Sequence, residues 1–278
     1  MLSLDTIDPI FFRNKGKELR AACVRMAHYG KESHLNGALS SVDLLIALFY
    51  AFLRIDADNS RNPDRDRFIF SKGHACTSLY AILADRGIIP ASWLERYAMD
   101  DTPLPSHPCV HALPALEVSS GSLGHGLGMA AGIAYALKLK GSSARAVTLL
   151  SDGECNEGST WEAVTFASVN RLDNVLAVVD YNGVQSIGRS PELMGSLESV
   201  QARFEAFGWG TRICDGLDVV DTTQALKQFP FKAGAPSVLV GRTKAGAGVS
   251  FMEDQVLWHY RTPSVEDLER ALKELSIA

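Results

Sequence analysis

The sequence has no C-x-x-C pair, and its five cysteines, Cys23, Cys76, Cys109, Cys155 and Cys214, are scattered and odd in number. Both facts argue against a zinc site or a disulfide framework. Basic residues are in deficit: 27 Lys and Arg against 32 Asp and Glu leave a formal charge of −5, so neither a nucleic-acid footprint nor a basic membrane surface is implied. Nowhere do eighteen apolar residues run together, and the opening MLSLDTIDPIFF has no basic segment with a long apolar stretch behind it. The expectation is a cytoplasmic, soluble protein. A dinucleotide fingerprint is missing too, because Gly121, Gly124, Gly126 and Gly128 are spaced G-x-x-G-x-G-x-G and not G-x-G-x-x-G. That counts against a Rossmann dehydrogenase.

What is present is a large core: 46% of 278 residues are hydrophobic. The most informative stretch is 151–188, SDGECNEGSTWEAVTFASVNRLDNVLAVVDYNGVQSIG. Residues 146–151 are a short apolar run of the kind that forms a buried parallel strand, ending at an acidic Gly turn. Trp161, Val164, Thr165 and Ala167 then recur at helical spacing over 157–170, and 175–180 (VLAVVD) is a second apolar run closed by Tyr181, Asn182 and Gly183. Such a strand, helix and strand cross over right-handed, so both strands end on the same sheet edge. Asp152 and Asn182 therefore converge.

A carboxylate, an amide oxygen and a main-chain carbonyl form a hard, oxygen-only site, suited to Mg²⁺ or Ca²⁺ and not to zinc. Mg²⁺ takes few protein ligands and fills its octahedron with phosphate and water, so the pattern points to a diphosphate. Gly153 lets the backbone approach it, and the next helix aims its N-terminal amides at the same edge.

Elsewhere Pro9–Tyr29 reads as an amphipathic helix ending at Gly30, 33–38 as a polar loop holding His34, and 40–52 as a helix with an N-cap serine. A charged connection over 59–67 leads to a strand at 68–71, and Lys72-Gly73-His74-Ala75 opens a helix over 77–86, where His74 can reach a phosphate. Pro103, Pro105, Pro108 and Pro114 make 103–114 irregular, the kind of loop that lines a site. A Gly-rich turn opens a helix over 129–139. Helices over 196–207 and 219–228, strands over 208–214 and 237–242, and a last helix over 264–275 complete an alternation that supports one doubly wound, mostly parallel α/β sheet with helices on both faces.

SDGECNEGSTWEA followed by DYNGVQSIG resembles the thiamine diphosphate motif of the transketolase family, and DRDRFIFSKGHAC resembles the same family's S-x-G-H signature. The resemblance implies that Asp152, Asn182 and the carbonyl of Val184 bind Mg²⁺, with Ca²⁺ as an alternative. It places Gly153, His74, Gly121, Ser122 and Leu123 on thiamine diphosphate, Asn182 on both metal and cofactor, and His34, His107 and His259 on the sugar and its protons, His259 also reaching the cofactor. Glu157 resembles a glutamate near the dimer interface. The chain departs from the family pattern at Ser151, His125 and Ala245, the last with Lys244 as the nearest basic substitute. Cys155, in the cofactor loop, is either a reactive thiol or a small filler, and His111 has no counterpart.

The resemblance covers almost the whole chain, which it implies is a single diphosphate-binding domain over 1–278, but only the first half of a full transketolase. The family's glutamate that faces the aminopyrimidine ring lies on a second, pyrimidine-binding domain, and no segment here supplies it. The implied protein is the N-terminal subunit of a split transketolase, paired with a C-terminal subunit in an α₂β₂ heterotetramer, moving a two-carbon ketol unit between sugars or sugar phosphates. Two other readings are the α subunit of a 2-oxo-acid dehydrogenase and a catalytically silent assembly protein; His34, S-x-G-H and the Trp258-His259 pair favour transketolase over the first.

Overall fold

A computed structural model describes residues 8–58 and 62–276; the opening residues 1–7 and part of the charged connection lie outside them. The chain begins with α1 (Pro9–Tyr29), capped by the Asp8 carboxylate, which accepts from Ile10 N at 2.9 Å, with proline in the first helical turn. Then come α2 (Leu35–Ser40), α3 (Val42–Ala47) and a π turn over Leu48–Phe52, followed by β1 (Arg67–Phe70) and α4 (Cys76–Asp85). After the proline-rich segment, α5 (Gly126–Leu139), β2 (Ala146–Ser151), α6 (Gly158–Val169) and β3 (Val175–Tyr181) follow. A two-residue hairpin, β4 (Val184–Gln185) and β5 (Gly188–Arg189), leads to α7 (Ser190–Met194), α8 (Leu197–Ala206), β6 (Gly210–Asp215), α9 (Val219–Leu226), β7 (Ser237–Arg242) and α10 (Val265–Glu274).

The five long strands form one all-parallel sheet in the order β1-β2-β3-β7-β6. Every residue of β2 and β3 is buried, as expected of parallel strands covered on both faces. Alternate residues of β3 divide between two cores: Leu176 and Val178 pack with α1 to α4, while Val175, Ala177 and Val179 pack with α5, α6 and α8. Register fixes the site, because Ser151 pairs with Asp180 and β3 runs only one residue beyond that pair. Residues just past the two strands, 152 and 182–184, thus emerge together from the carboxyl edge, where open parallel sheets bind their ligands.

Three expectations are corrected. The segment expected as a polar loop over 33–38 turns helical directly after His34, and all six residues of α2 are buried. Its sequence, LNGALS, is too short for a visible helical period, so packing against α1 and α4 decides it. Ser40 does not cap the next helix; its side chain turns inward, as described below. The helix expected from Met129 starts at Gly126, whose amide donates to Ser71 Oγ at 3.1 Å. Among the described residues no helix is long and apolar enough to cross a membrane.

Candidate active site

At the carboxyl edge lies a cavity of about 370 Å³ lined by residues from the end of β2, the segment and β4 hairpin after β3, α2, the turn before α4 and the segment before α10. Asp152 follows β2 directly and is 1% exposed. Its Oδ1 accepts from Gly153 N at 2.8 Å, and its Oδ2 accepts from Gly183 N at 3.0 Å and Ser190 Oγ at 2.6 Å. The carboxylate is thus locked between the ends of β2 and β3. Burial pushes its pKa up to about 6, and neighbouring Asp180 adds to the rise against the Ser190 hydrogen bond. A carboxylate held at that cost gains most from a cation. Asn182 Oδ1 accepts from Val184 N at 3.0 Å while Nδ2 donates to Ser40 Oγ at 3.2 Å, so the amide is held from both ends.

Three histidines face this pair across the cavity. The His34 ring lies 4.9 Å from that of His259 and 5.2 Å from that of His74, and His74 and His259 are 5.8 Å apart. His34 takes a left-handed conformation (φ 61°) and its amide donates to His259 O at 3.0 Å, which ties α2 to the segment before α10. Its Nδ1 is buried with no hydrogen-bond partner. Burial lowers the pKa of all three rings: His259 falls to about 4 with help from His34 and Lys72, His74 falls well below its ordinary value, and His34 falls with a contribution from His107. All three are neutral at pH 7, each with one ring donor and one acceptor.

Of the residues singled out from sequence, His34, His74, Gly121, Leu123, Asp152, Gly153, Asn182, Val184 and His259 line the one cavity. Ser122 and His107 do not; both are exposed at its rim, the His107 ring 3.1 Å from where a β-carbon on Gly121 would stand. His111 is on the surface, as expected. The departures from the family pattern are accommodated. Ser151 Oγ accepts from Glu154 N at 3.2 Å, His125 is exposed with its ring on Leu123 O, and Ala245 is buried with its amide on Asn182 O at 3.2 Å. Lys244 does not replace the missing lysine, since its ammonium pairs with Glu253 at 3.1 Å outside the lining. Cys155 is filler: it is 1% exposed and burial pushes its thiol pKa up, away from reactivity.

Sequence reasoning missed two buried ionic residues. Lys72 is fully buried and lines the cavity floor; its ammonium donates to Gly37 O at 2.9 Å and pairs with Asp180. Glu154 is fully buried, accepts from Gly124 N at 2.9 Å and from Ser71 Oγ, and so clamps the Gly-rich turn to the turn after β2. Gly124 (φ 83°) admits no side chain there, since a β-carbon would stand 2.4 Å from Ser159 Oγ. Both residues are adjacent to recognised motif positions, but a lysine and a glutamate in polar segments read as solvated until the fold buries them.

The donor set fits a divalent cation carrying a diphosphate. Among the described residues no cluster of three or more His, Cys, Asp or Glu can hold a metal. Asp152 with amide and carbonyl oxygens is a set that leaves most of an octahedron to phosphate and water. A β-carbon on Gly153 would stand 3.3 Å from Gln185 Cγ and crowd the cleft, and the orphaned His34 Nδ1 offers a further polar contact to a ligand.

Fold and site define an α/β domain with a cavity at the carboxyl ends of two neighbouring parallel strands, whose lining suits a diphosphate. Residues 14–274 match the family described as "Transketolase, thiamine diphosphate binding domain", and the chain belongs to that family. It is 37% identical to one of the subunits of the apulose-4-phosphate transketolase of Actinobacillus succinogenes, over 94% of each chain. It is 35% identical to a 6-deoxy-6-sulfo-D-fructose transketolase subunit of Clostridium sp., over 87% of this chain and 88% of that one. The transketolase of Homo sapiens is 33% identical, over 95% of this chain and 42% of its own length. Among solved structures, transketolase from Campylobacter jejuni superposes with a TM-score of 0.89 at 26% identity, covering 97% of this chain and 43% of that one. The chain therefore spans the thiamine diphosphate-binding part of a single-chain transketolase and nearly the full length of the two subunit relatives, and the 2-oxo-acid dehydrogenase reading is set aside.

Acidification tests the histidine cluster. The folded pKa of His259 lies near 4, below its ordinary 6.5, so between those values the unfolded chain binds the extra proton and stability falls as pH falls. Asp152, raised to about 6 from 3.8, acts with the opposite sign over much of that window. Comparing H259N with wild type isolates the histidine. On going from pH 7 to pH 4.5 the variant is expected to lose a few degrees less of melting temperature; equal losses would show that His259 carries no such burden.

Proposed function

We propose that this chain is the N-terminal subunit of a two-chain transketolase that binds thiamine diphosphate with Mg²⁺ and moves a two-carbon ketol unit from a ketose to an aldose acceptor. The observation that carries the reading is the meeting of Asp152, Asn182 and Val184 with His34, His74 and His259 in one cavity at the carboxyl edge. When bound, thiamine diphosphate supplies a nucleophilic carbon and an electron sink for carbon–carbon cleavage. Asp152, the Asn182 amide oxygen and the Val184 carbonyl hold the cation, Ca²⁺ being an alternative, and with it the diphosphate. Gly153, Gly121, Leu123 and His74 flank the cofactor, Ser122 approaching it from the rim.

His34, His259 and His107 receive the sugar. Because burial keeps the first two neutral at pH 7, each can accept a proton from a hydroxyl and donate a ring N–H to another oxygen. The two subunit relatives are named for sugars bearing a phosphate or a sulfonate, and a sugar with such an anionic group is the proposed substrate class. The word "subunit" in those names supports a partner chain; we take it to be the pyrimidine-binding one, supplying the glutamate for the aminopyrimidine, in an α₂β₂ heterotetramer.

Native mass spectrometry of the chain purified gently from its own source cells tests this. A heterotetramer carrying thiamine diphosphate and Mg²⁺ is expected. A homo-oligomer that takes up no thiamine diphosphate when given it with Mg²⁺ would overturn the proposal in favour of a silent assembly protein. Within the active assembly, His107→Ala is expected to lower kcat/KM by about 10- to 100-fold, the scale of one lost hydrogen bond in a closed site, with cofactor affinity unchanged. An unaltered rate would remove His107 from the site.

A further inference from the structure

Behind the cavity floor a chain of fully buried polar side chains runs from Asn182 to Lys72. Ser40 and Asp180, like Lys72, are 0% exposed, and Asn182 is 6% exposed. Asn182 Nδ2 donates to Ser40 Oγ at 3.2 Å, and Ser40 Oγ lies 2.6 Å from Asp180 Oδ2 and 3.0 Å from Gly37 O. The serine has one proton, and the nearer, charged acceptor takes it. Asp180 is in turn held by the Lys72 ammonium and by the Thr243 hydroxyl on its other oxygen.

The direction of the first bond fixes that of the second. With its proton committed to Asp180, Ser40 can only accept from the residue in front of it, so Asn182 must turn its NH₂ group inward. Reversing the amide would set its oxygen against an oxygen with no proton to give and its NH₂ against the Val184 N–H, which now donates to Asn182 Oδ1 at 3.0 Å. The inward-facing NH₂ leaves the amide oxygen for the cavity side.

We propose that Ser40 is a positioning residue for the cation site: backed by the buried Asp180–Lys72 pair, its hydroxyl fixes the orientation of the Asn182 amide and so presents an oxygen to the cation. Ser40 contacts neither metal nor cofactor in this role. Outer-shell partners of this kind set metal affinity by about 10- to 100-fold. The inference rests on the reading of Asn182 as a cation ligand, and the test separates the two.

The complex of this chain with its co-purifying partner, stripped of metal and given thiamine diphosphate, is titrated with Mn²⁺ in place of Mg²⁺, and bound ion is followed by electron paramagnetic resonance. Ser40→Ala is expected to weaken Mn²⁺ binding by about 10- to 100-fold. In an Asn182→Asp background, where a carboxylate presents an oxygen whichever way it turns, Ser40→Ala is expected to change affinity less than about threefold, because the orientational role of the second shell is gone. A role in packing alone would cost the same in both backgrounds. That outcome overturns the inference, as does a loss below about tenfold for Ser40→Ala in the otherwise native chain. An Asn182→Asp complex that binds no Mn²⁺ also counts against it. A wild-type complex that binds no Mn²⁺ with thiamine diphosphate overturns the cation reading itself, and the relay with it.

Discussion

Asp152→Ala is expected to abolish cation-dependent binding of thiamine diphosphate by the assembled protein while leaving the fold standing. Asp152 is the one carboxylate among the residues proposed to hold the cation, and it is pinned by Gly153 N, Gly183 N and Ser190 Oγ. Removing it leaves an amide and a carbonyl, which cannot offset the dehydration of a divalent ion. The folded chain loses little net, because release of the buried charge, disfavoured as its rise to about 6 records, offsets the three hydrogen bonds given up. Isothermal titration with Mg²⁺ and thiamine diphosphate should show no saturable heat for the variant at concentrations that saturate wild type, with a urea midpoint close to that of wild type. Wild-type affinity in the variant would remove Asp152 from the site.

Lys72→Met should act in the opposite way, costing the fold directly. Lys72 and Asp180 are both fully buried, and their pairing joins the residue before Gly73 and His74 to the end of β3. Deleting one partner of a buried pair strands the other charge, a loss of about 3–5 kcal/mol. Ser40 and Thr243 still donate to Asp180, so the lower end of that range is the expectation. Adding Asp180→Asn should recover much of the loss, because two neutral side chains leave no stranded charge. Urea unfolding of the chain reads both variants. A Lys72→Met midpoint equal to that of wild type would mean that water reaches Asp180, and the description of a closed floor beneath the cavity would be wrong.

Much of this was legible in the amino-acid order. The runs at Ala146–Ser151 and Ser237–Arg242 are apolar, β-branched and of strand length, and they became strands with those bounds. A strand, helix and strand with one permitted handedness was enough to bring Asp152 beside Asn182, because parallel register is insensitive to how the outer helices pack. The Gly-rich turn, the S-x-G-H segment and the Trp-His pair were recognisable for a related reason: each is a local backbone solution whose spacing survives in the sequence.

The rest depended on contacts between residues distant along the chain. The helix Leu35–Ser40 has six residues, too few to display a period or to form alone, and only the neighbouring helices make it. Ser40 and Asp180 are 140 positions apart, and Lys72 and Asp180 are 108, so nothing in either neighbourhood marks them as partners. Burial is a property of the assembled sheet and helices. It alone turned an ordinary lysine and an ordinary glutamate into the floor of the cavity and the clamp of the Gly-rich turn, and lowered the pKa of three histidines so that they stay neutral. Sequence determined the order of strands and helices and which residues stand at the strand ends, because those follow from short-range pattern and chain geometry. Tertiary structure decided which charges lie out of water and which atom each amide and hydroxyl faces, because both depend on which distant residues the packed sheet and helices bring together.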